Sequence, residues 1–478
     1  MTQQHTPESA SEAAASAQQP AAPSVSAGAE KLTTEGLART TAPGSPYDDH
    51  TQTGSAQVDP AEPASGQNIA DGAALLQRYQ RSLTGVFGTP QAVLVRGSGA
   101  RVWDADGNEY LDMLGGIAVN ALGHAHPLIT SVISSQQATL GHISNLFTSP
   151  TQIALAEKLL ALAHAPAGSS VFFANSGSEA NEAALKAVLR HRQNTDKPRI
   201  LALEGSFHGR TTGALSLTHK PAYRDPFGEL ISGVEFLPFN DLTALEQAFE
   251  HDDVAGIFLE PIQGEAGVLP LDDPYLIRAR ELTRACGALL VLDEVQTGVG
   301  RTGEWFRHQA VDGDLTPDLM TLAKGLGAGF PIGALLSFGQ TAGSLLEAGQ
   351  HGTTFGGNPP ATAAALATLH VIETEGVLES VNTVGADLAQ RLRSLPQVAQ
   401  VRQYGLHIGV DLTAVTGTET PAKDLVGLAR QRHGLIINAT GDSTLRLAPP
   451  LNLTSAEADQ AVQRLVSALG ELEQGAGQ

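Results

Sequence analysis

The pattern of apolar and polar positions changes character three times along the chain. Residues 1–70 carry almost no large aliphatics; Ala, Ser, Gln, Pro, Thr and Gly run on with scattered acids. Such a segment buries too little apolar area to offset the entropy of ordering it, so it is expected to stay disordered. From Ala73 the pattern becomes periodic. Residues 73–79 have helical spacing, and three short runs, 92–96, 100–103 and 109–112, read as strands, with Asp104-Ala105-Asp106-Gly107 turning between the last two. Residues 150–163 form an amphipathic helical stretch. Beyond it, near-continuous apolar runs at 170–174, 199–203, 254–259 and 288–292 alternate with helical stretches at 179–192 and 275–286. Strands apolar on both faces, separated by helices, predict an α/β fold with a mostly parallel sheet covered on both sides. After about Ala364 long helices (361–374, 377–395) precede strands at 397–401 and 406–410, a helix at 422–432, strands at 435–438 and 445–447, and a helix from Ser455. That is an α+β pattern, expected as a separate, smaller domain. There is no internal repeat.

Composition narrows this picture. A chain of 478 residues that is 42% hydrophobic supports a large core and roughly two to three domains. Gly 51 against 5% aromatics fits a glycine-loop-rich α/β enzyme. A formal charge of -21 argues against a nucleic-acid partner, because nothing neutralises phosphates in bulk. It favours a soluble cytoplasmic protein. Cys286 is the only cysteine, which excludes an intrachain disulfide and a thiolate metal cage. No basic run followed by an apolar stretch opens the chain, so a signal peptide is not expected. No apolar run reaches membrane-spanning length, so no membrane partner is expected.

Several segments carry candidate chemistry. Asp293 ends the apolar run Ala288–Leu292, and a carboxylate at a strand end can hold a pyridinium nitrogen. Lys324, in Met320-Thr-Leu-Ala-Lys-Gly-Leu-Gly327, has apolar neighbours that lower an amine's pKa towards reactivity. Ala174-Asn-Ser-Gly-Ser-Glu-Ala-Asn181 joins a strand to a helix; Ser176 and Glu179 have capping-box spacing, and Gly177 permits close backbone approach. This is either an ordinary capped helix or an anion site. In Glu204-Gly-Ser-Phe-His-Gly-Arg210, Phe207 and His208 are surfaces for a flat ring and Arg210 is a fork donor for a carboxylate. Glu260 and Glu265 follow another strand, as acid/base groups or as partners of arginines; for Glu265 the pairing role is favoured. Residues 351–358 offer the adjacent hydroxyls Thr353 and Thr354. The run Leu292-Asp293-Glu294 has a rival reading as the magnesium strand of a nucleotide hydrolase, but no lysine here follows a glycine, so the required phosphate loop is missing. His124-Ala125-His126 has metal-like spacing but sits in a Gly/Pro turn without an acidic or cysteine partner nearby in sequence; a structural loop is expected and no metal site.

Taken together and in this order, the segments resemble the class III, fold-type I, pyridoxal phosphate-dependent aminotransferases from about Phe87 to Leu469, and within them the acetylornithine branch. The resemblance implies a seven-stranded, mostly parallel sheet in a large cofactor-binding domain at 116–364. It also implies an N-terminal segment at 71–115 packing with a small α+β domain at 365–478. It implies pyridoxal 5'-phosphate bonded to Lys324, its ring nitrogen held by Asp293, with Gln296 near the ring oxygen, Gly177 and Ser178 on the phosphate, and Phe207 stacked on the ring. Thr354 is implied to reach the phosphate of a neighbouring subunit, making a homodimer with shared active sites. Arg210 and Thr353 are implied for the substrate's carboxylate region, Arg446 for glutamate's α-carboxylate, and Glu265 as the partner that masks Arg446. The implied reaction moves the terminal amine of N-acetylornithine to 2-oxoglutarate. Succinylornithine, ornithine, 4-aminobutyrate and lysine-pathway semialdehydes stay open as substrates, with Ile117 standing where ornithine enzymes tend to have tyrosine. A cofactor-less scaffold is the alternative outside catalysis.

Overall fold

Strand parity explains how the molecule's two largest layers meet. The computed structural model describes residues 71–415 and 417–475; the tail expected at 1–70 lies outside them. Its central feature is a seven-stranded sheet in the order Ser170–Ala174, Gly333–Ser337, Leu319–Leu322, Leu289–Asp293, Val254–Leu259, Arg199–Leu203, Val234–Leu237. Only Gly333–Ser337 runs antiparallel to its neighbours. The expected mostly parallel sheet is therefore present. Val254–Leu259, Leu289–Asp293 and Leu319–Leu322 are buried at every position, as strands covered on both faces must be.

Successive side chains of a strand point to opposite faces. Ile200, Ala202, Phe258, Leu289 and Val291 pack on one side with Ala183, Ala184, Ala187 and Val188 of helix Gly177–Thr195. Leu201, Leu203, Ile257, Leu259, Leu290 and Leu292 pack on the other with Tyr275, Leu276 and Ala279 of helix Asp273–Cys286. The same parity sends Asp293 towards helix Gly177–Thr195 and Glu294 away from it. Alanines along that helix let its backbone lie close to the sheet.

The C-terminal residues form a second sheet in the order Val398–Tyr404, His407–Leu412, Thr444–Leu447, Asn438–Ala439. The single strand expected at 435–438 is divided between two sheets. Leu435–Ile436 pairs with Leu111 and Asp112 beside the N-terminal strands Leu94–Ser98, Arg101–Asp104 and Glu109–Asp112, while Asn438–Ala439 pairs with Leu445 and Arg446. Ile437, buried between them, is where the chain crosses over. Helix Pro359–Thr374, buried along most of its length, packs against helices Pro127–Thr139 and Pro150–Leu162. Among the described residues no helix is long and apolar enough to cross a membrane.

Candidate active site

A cavity of about 330 Å³ lies at the carboxyl ends of the parallel strands, lined among others by Gly177, Ser178, Phe207, Asp293, Gln296 and Lys324. Ligands of open α/β sheets bind at this edge, outside the strand ends.

Asp293 is buried, and its acceptors are almost fully assigned. Oδ2 accepts from Asn181 Nδ2 at 2.7 Å and from His208 Nδ1 at 2.7 Å, and Oδ1 accepts from the Val295 amide at 3.0 Å. One lone pair on Oδ1 is left for the cavity. Asn181 is held in turn, since Thr321 Oγ1 donates to its Oδ1 at 2.9 Å and its Nδ2 also donates to the His208 carbonyl at 2.8 Å. Three hydrogen bonds to one carboxylate fix its orientation. His208 was expected to offer a stacking surface. Its side chain is fully buried against Asp293, although His208, like Phe207 before it, lines the cavity. Burial pushes the His208 pKa down, but the Asp293 hydrogen bond and charge outweigh it and leave the imidazole above its ordinary value. The imidazole and the carboxylate thus face each other at the base of the cavity.

Lys324 opens a short 3-10 turn, Lys324–Gly327, with φ 41. A left-handed lysine is strained by roughly 1–3 kcal/mol, a cost seen mostly where the surroundings over-determine a functional residue. Burial lowers its pKa to about 8, opposed by the Glu265 carboxylate. Glu260 lines the same cavity, and its Oε1 accepts the Phe207 amide at 2.8 Å. Burial raises Glu260 to about 7. Among the described residues it pairs with no arginine.

Behind Gln296, which lines the cavity, lies an ion pair. Arg446 sits on Thr444–Leu447 and pairs in register with Gly409, only 1% exposed. Its Nη1 donates to Glu265 Oε1 and to Gln296 Oε1, the latter at 3.1 Å, and its Nη2 donates to Asn438 Oδ1 at 2.9 Å. Burial raises the Glu265 pKa, but the charge and hydrogen bond of Arg446 outweigh it and hold the carboxyl below its usual value.

Other expected site residues stand apart. Arg210 is exposed and stacks its guanidinium 3.5 Å over the Tyr223 ring. Thr353 accepts Asn175 Nδ2 at 3.1 Å in an adjoining hollow, and Thr354 is exposed. Asn181 and His407 are parts of the site that sequence reasoning missed. Asn181, one helical turn beyond Gly177, carried a usable signal. His124 also differs from expectation, since the fold supplies the acidic partner: its Nε2 lies 2.9 Å from Asp112 Oδ2. Asp112 accepts the Leu114 and Gly115 amides as well, so the pair braces the left-handed turn Gly115–Ala118. Among the described residues no group of three His, Cys, Asp or Glu is placed for a metal. Glu294 accepts the Arg307 and His308 amides and His308 Nδ1, a structural tie on the face away from the cavity.

The cavity fits a phosphorylated pyridine. The 19-residue helix Gly177–Thr195 points its N-terminus at it, capped by Ser176 Oγ accepting the Glu179 amide at 3.2 Å, and leaves the Gly177 and Ser178 amides for an anion. Glu179 does not close the box on Ser176; its carboxylate accepts the Asn175 amide and side chain at 2.8 Å each. A Cβ on Gly177 would meet Val295 at 2.8 Å, and one on Gly209 would meet Ser178 Oγ at 2.5 Å, so the cradle admits only glycine there. A carboxylate acceptor, an aromatic face and a buried amine complete the set.

Comparison with known proteins agrees with this geometry. The family model described as aminotransferase class-III matches residues 86–469. An acetylornithine aminotransferase of Streptomyces coelicolor is 49% identical over 405 residues, covering 84% of this chain and 96% of that protein. The crystal structure of N-acetylornithine aminotransferase from Stenotrophomonas maltophilia superposes with TM-score 0.70 at 35% identity, covering 82% of this chain and 99% of that one. An ornithine aminotransferase of Toxoplasma gondii, with partial occupancy of PLP at its active site, superposes with TM-score 0.78 at 29% identity, covering 85% and 96%. The chain belongs to the class III aminotransferases, enzymes of the pyridoxal phosphate fold-type I architecture.

Proposed function

We propose that this chain transfers the terminal amine of N2-acetyl-L-ornithine to 2-oxoglutarate, giving N-acetyl-L-glutamate 5-semialdehyde and L-glutamate, a step of arginine biosynthesis. The observation that carries the substrate choice is the pair of buried Arg446 with partly exposed Glu265 beside Lys324. One site must accept an α-amine and a terminal amine, whose carboxylates fall at different distances from the reacting carbon. An arginine that is masked for one substrate and released for the other serves both without a second pocket. The extent of likeness to acetylornithine aminotransferases supports the same reading.

Bound pyridoxal 5'-phosphate supplies an electron sink for the carbanion formed when the substrate's Cα or terminal carbon loses its proton. The chain's residues do the rest. Asp293, oriented by Asn181 and His208, would hold a proton on the ring nitrogen by charge pairing. Phe207 and Val295, which line the cavity, would flank the ring, and the Gly177 and Ser178 amides would bind the phosphate. Lys324 would hold the cofactor covalently and, as a free amine, would remove and return the reacting proton as general base. An amine with a pKa of about 8 is part neutral at working pH, which that role requires. Arg210 and Thr353 take the substrate's remote carboxylate region, with Arg210 swinging from Tyr223. Gln296 faces the ring oxygen. Thr354 completes the phosphate site of a neighbouring copy in a homodimer. Residues 71–115 and 365–478 act as a small domain against the cofactor-binding residues 116–364, in a cytoplasmic enzyme.

The test is a half-reaction panel on holoenzyme, following cofactor absorbance with N-acetylornithine, succinylornithine, ornithine and 4-aminobutyrate as donors. N-acetylornithine is expected among the fastest; a rate far below ornithine's would overturn the substrate assignment. An absorbance band that is present and bleaches with borohydride separates the enzyme from a cofactor-less scaffold.

A further inference from the structure

His407 opens strand His407–Leu412, two residues before Gly409, which pairs with Arg446. Parity therefore places His407 and Arg446 on one face of the small sheet. The His407 side chain is wholly buried, and its Nε2 lies 3.1 Å from Gln296 Oε1, the atom that also receives Arg446 Nη1 at 3.1 Å. The other neighbours of that Gln296 atom fix it as oxygen, because Arg446 can only donate. Burial and the charges of Arg301, Arg446 and Lys324 hold His407 well below its ordinary pKa, so the ring is neutral. With Gln296 as acceptor the proton is on Nε2, and Nδ1 has no partner.

The frame around this contact is stiff. Arg301 is buried, and its Nη1 donates to the carbonyls of Leu406 at 3.1 Å and Pro449 at 2.5 Å, tying the strand ends that carry His407 and Arg446. Gly264 leaves the space that Gln296 fills, since a Cβ there would lie 2.1 Å from Gln296 Oε1.

We propose that His407 is a positioning residue for substrate selection: its Nε2–H holds Gln296 in place when Arg446 leaves Glu265 for the carboxylate of glutamate. This rests on the Arg446–Glu265 reading above. While the pair is closed, Gln296 Oε1 has two donors and either suffices. Once Arg446 turns to a substrate carboxylate, His407 is the remaining donor. Losing it therefore burdens the glutamate side and spares the terminal-amine side.

The experiment uses holoenzyme with His407→Leu, His407→Gln and His407→Asn. Gln carries an N–H at about the reach of Nε2, and Asn only at that of Nδ1. Single-turnover half-reactions with L-glutamate and with N-acetylornithine are compared, alongside glutarate affinity by calorimetry as a measurement independent of turnover. His407→Leu is expected to lower the second-order constant for glutamate about tenfold, the effect of one lost hydrogen bond to an organised acceptor. It should weaken glutarate by a similar factor and change the amine half-reaction less than about twofold. His407→Gln is expected to restore both glutamate and glutarate. Equal losses in the two half-reactions, no loss in either, or failure of His407→Gln to restore would overturn the proposal. Should His407→Leu fail to fold, the contrast between His407→Gln and His407→Asn decides the matter. If wild-type enzyme prefers another terminal amine, the substrate assignment fails by itself, and that amine takes the place of N-acetylornithine in the comparison.

Discussion

The two ends of the cavity are built on different principles. At the cofactor end, Asp293 stands on a central strand, and Asn181, His208, Thr321 and the Val295 amide satisfy one another in a closed network. At the substrate end, Arg446 and Glu265 come from a small-sheet strand and a loop, and Glu265 retains a side-chain exposure of 37%. A buried carboxylate held by three hydrogen bonds has one arrangement. An ion pair with one partner near solvent has two, because water replaces the lost contact at modest cost. The difference teaches how one site can keep its reaction constant while its substrate changes.

The largest expected effect lies at the rigid end. Asp293→Asn removes the charge that holds the proton on the ring nitrogen, and turnover should fall about 10³-fold. The loss should be similar for both half-reactions, measured on protein with its cofactor content checked by absorbance. A loss confined to one substrate would break the comparison at its root. Arg446→Met comes next. Removing one partner of a buried charge pair costs roughly 2–5 kcal/mol in recognition. The glutamate half-reaction should therefore slow by about 10²-fold, while N-acetylornithine is affected far less. Glu265→Ala should shift the balance the other way, favouring glutamate by about tenfold relative to the amine.

Sequence made the rigid end legible and left the other obscure, for a physical reason. Apolar runs at 254–259 and 288–292 announce buried parallel strands, and strand parity alone assigns Asp293 to the face of helix Gly177–Thr195. Ser176 reads as its cap from local spacing. Contacts that depend on distant segments carry no such signal. Asn181 reaches Asp293 across 112 positions, and His407 reaches Gln296 across 111. His208 looked like a stacking surface because one aromatic cannot be told from its neighbour until the loop's direction is known. Arg446 and Glu265 were visible only through resemblance to a family, since 181 residues separate them and neither lies in a periodic context that demands the other.

Lys324 lies between the two ends and tests both. Burial lowers its pKa from 10.5 to about 8, so the folded cofactor-free protein binds fewer protons than the unfolded chain between those values. Stability of that form should rise with pH from about 8 to 10.5 and stay flat below 8 on this account. Lys324→Met removes the buried cation, and cofactor-free protein should gain about 1–3 kcal/mol at pH 7. The gain should shrink as pH approaches 10.5, measured by urea unfolding at several pH values. A gain that grows with pH would contradict the burial of the amine.

The smallest effect sharpens the comparison most, because it touches the cofactor end without touching charge. Ser176→Ala deletes the cap of helix Gly177–Thr195, costing about 1 kcal/mol of stability. Asn175 still grips the Glu179 carboxylate through two hydrogen bonds, so the first turn loosens rather than unwinds. Cofactor affinity should weaken less than about tenfold, read by absorbance on titration. Because both substrates use the same bound cofactor, the ratio of their half-reaction rates should not move. A ratio that shifts more than about twofold would mean the helix terminus also reports on Arg446 and Glu265, and that the cavity's two ends are one mechanical unit rather than a fixed half and a switching half.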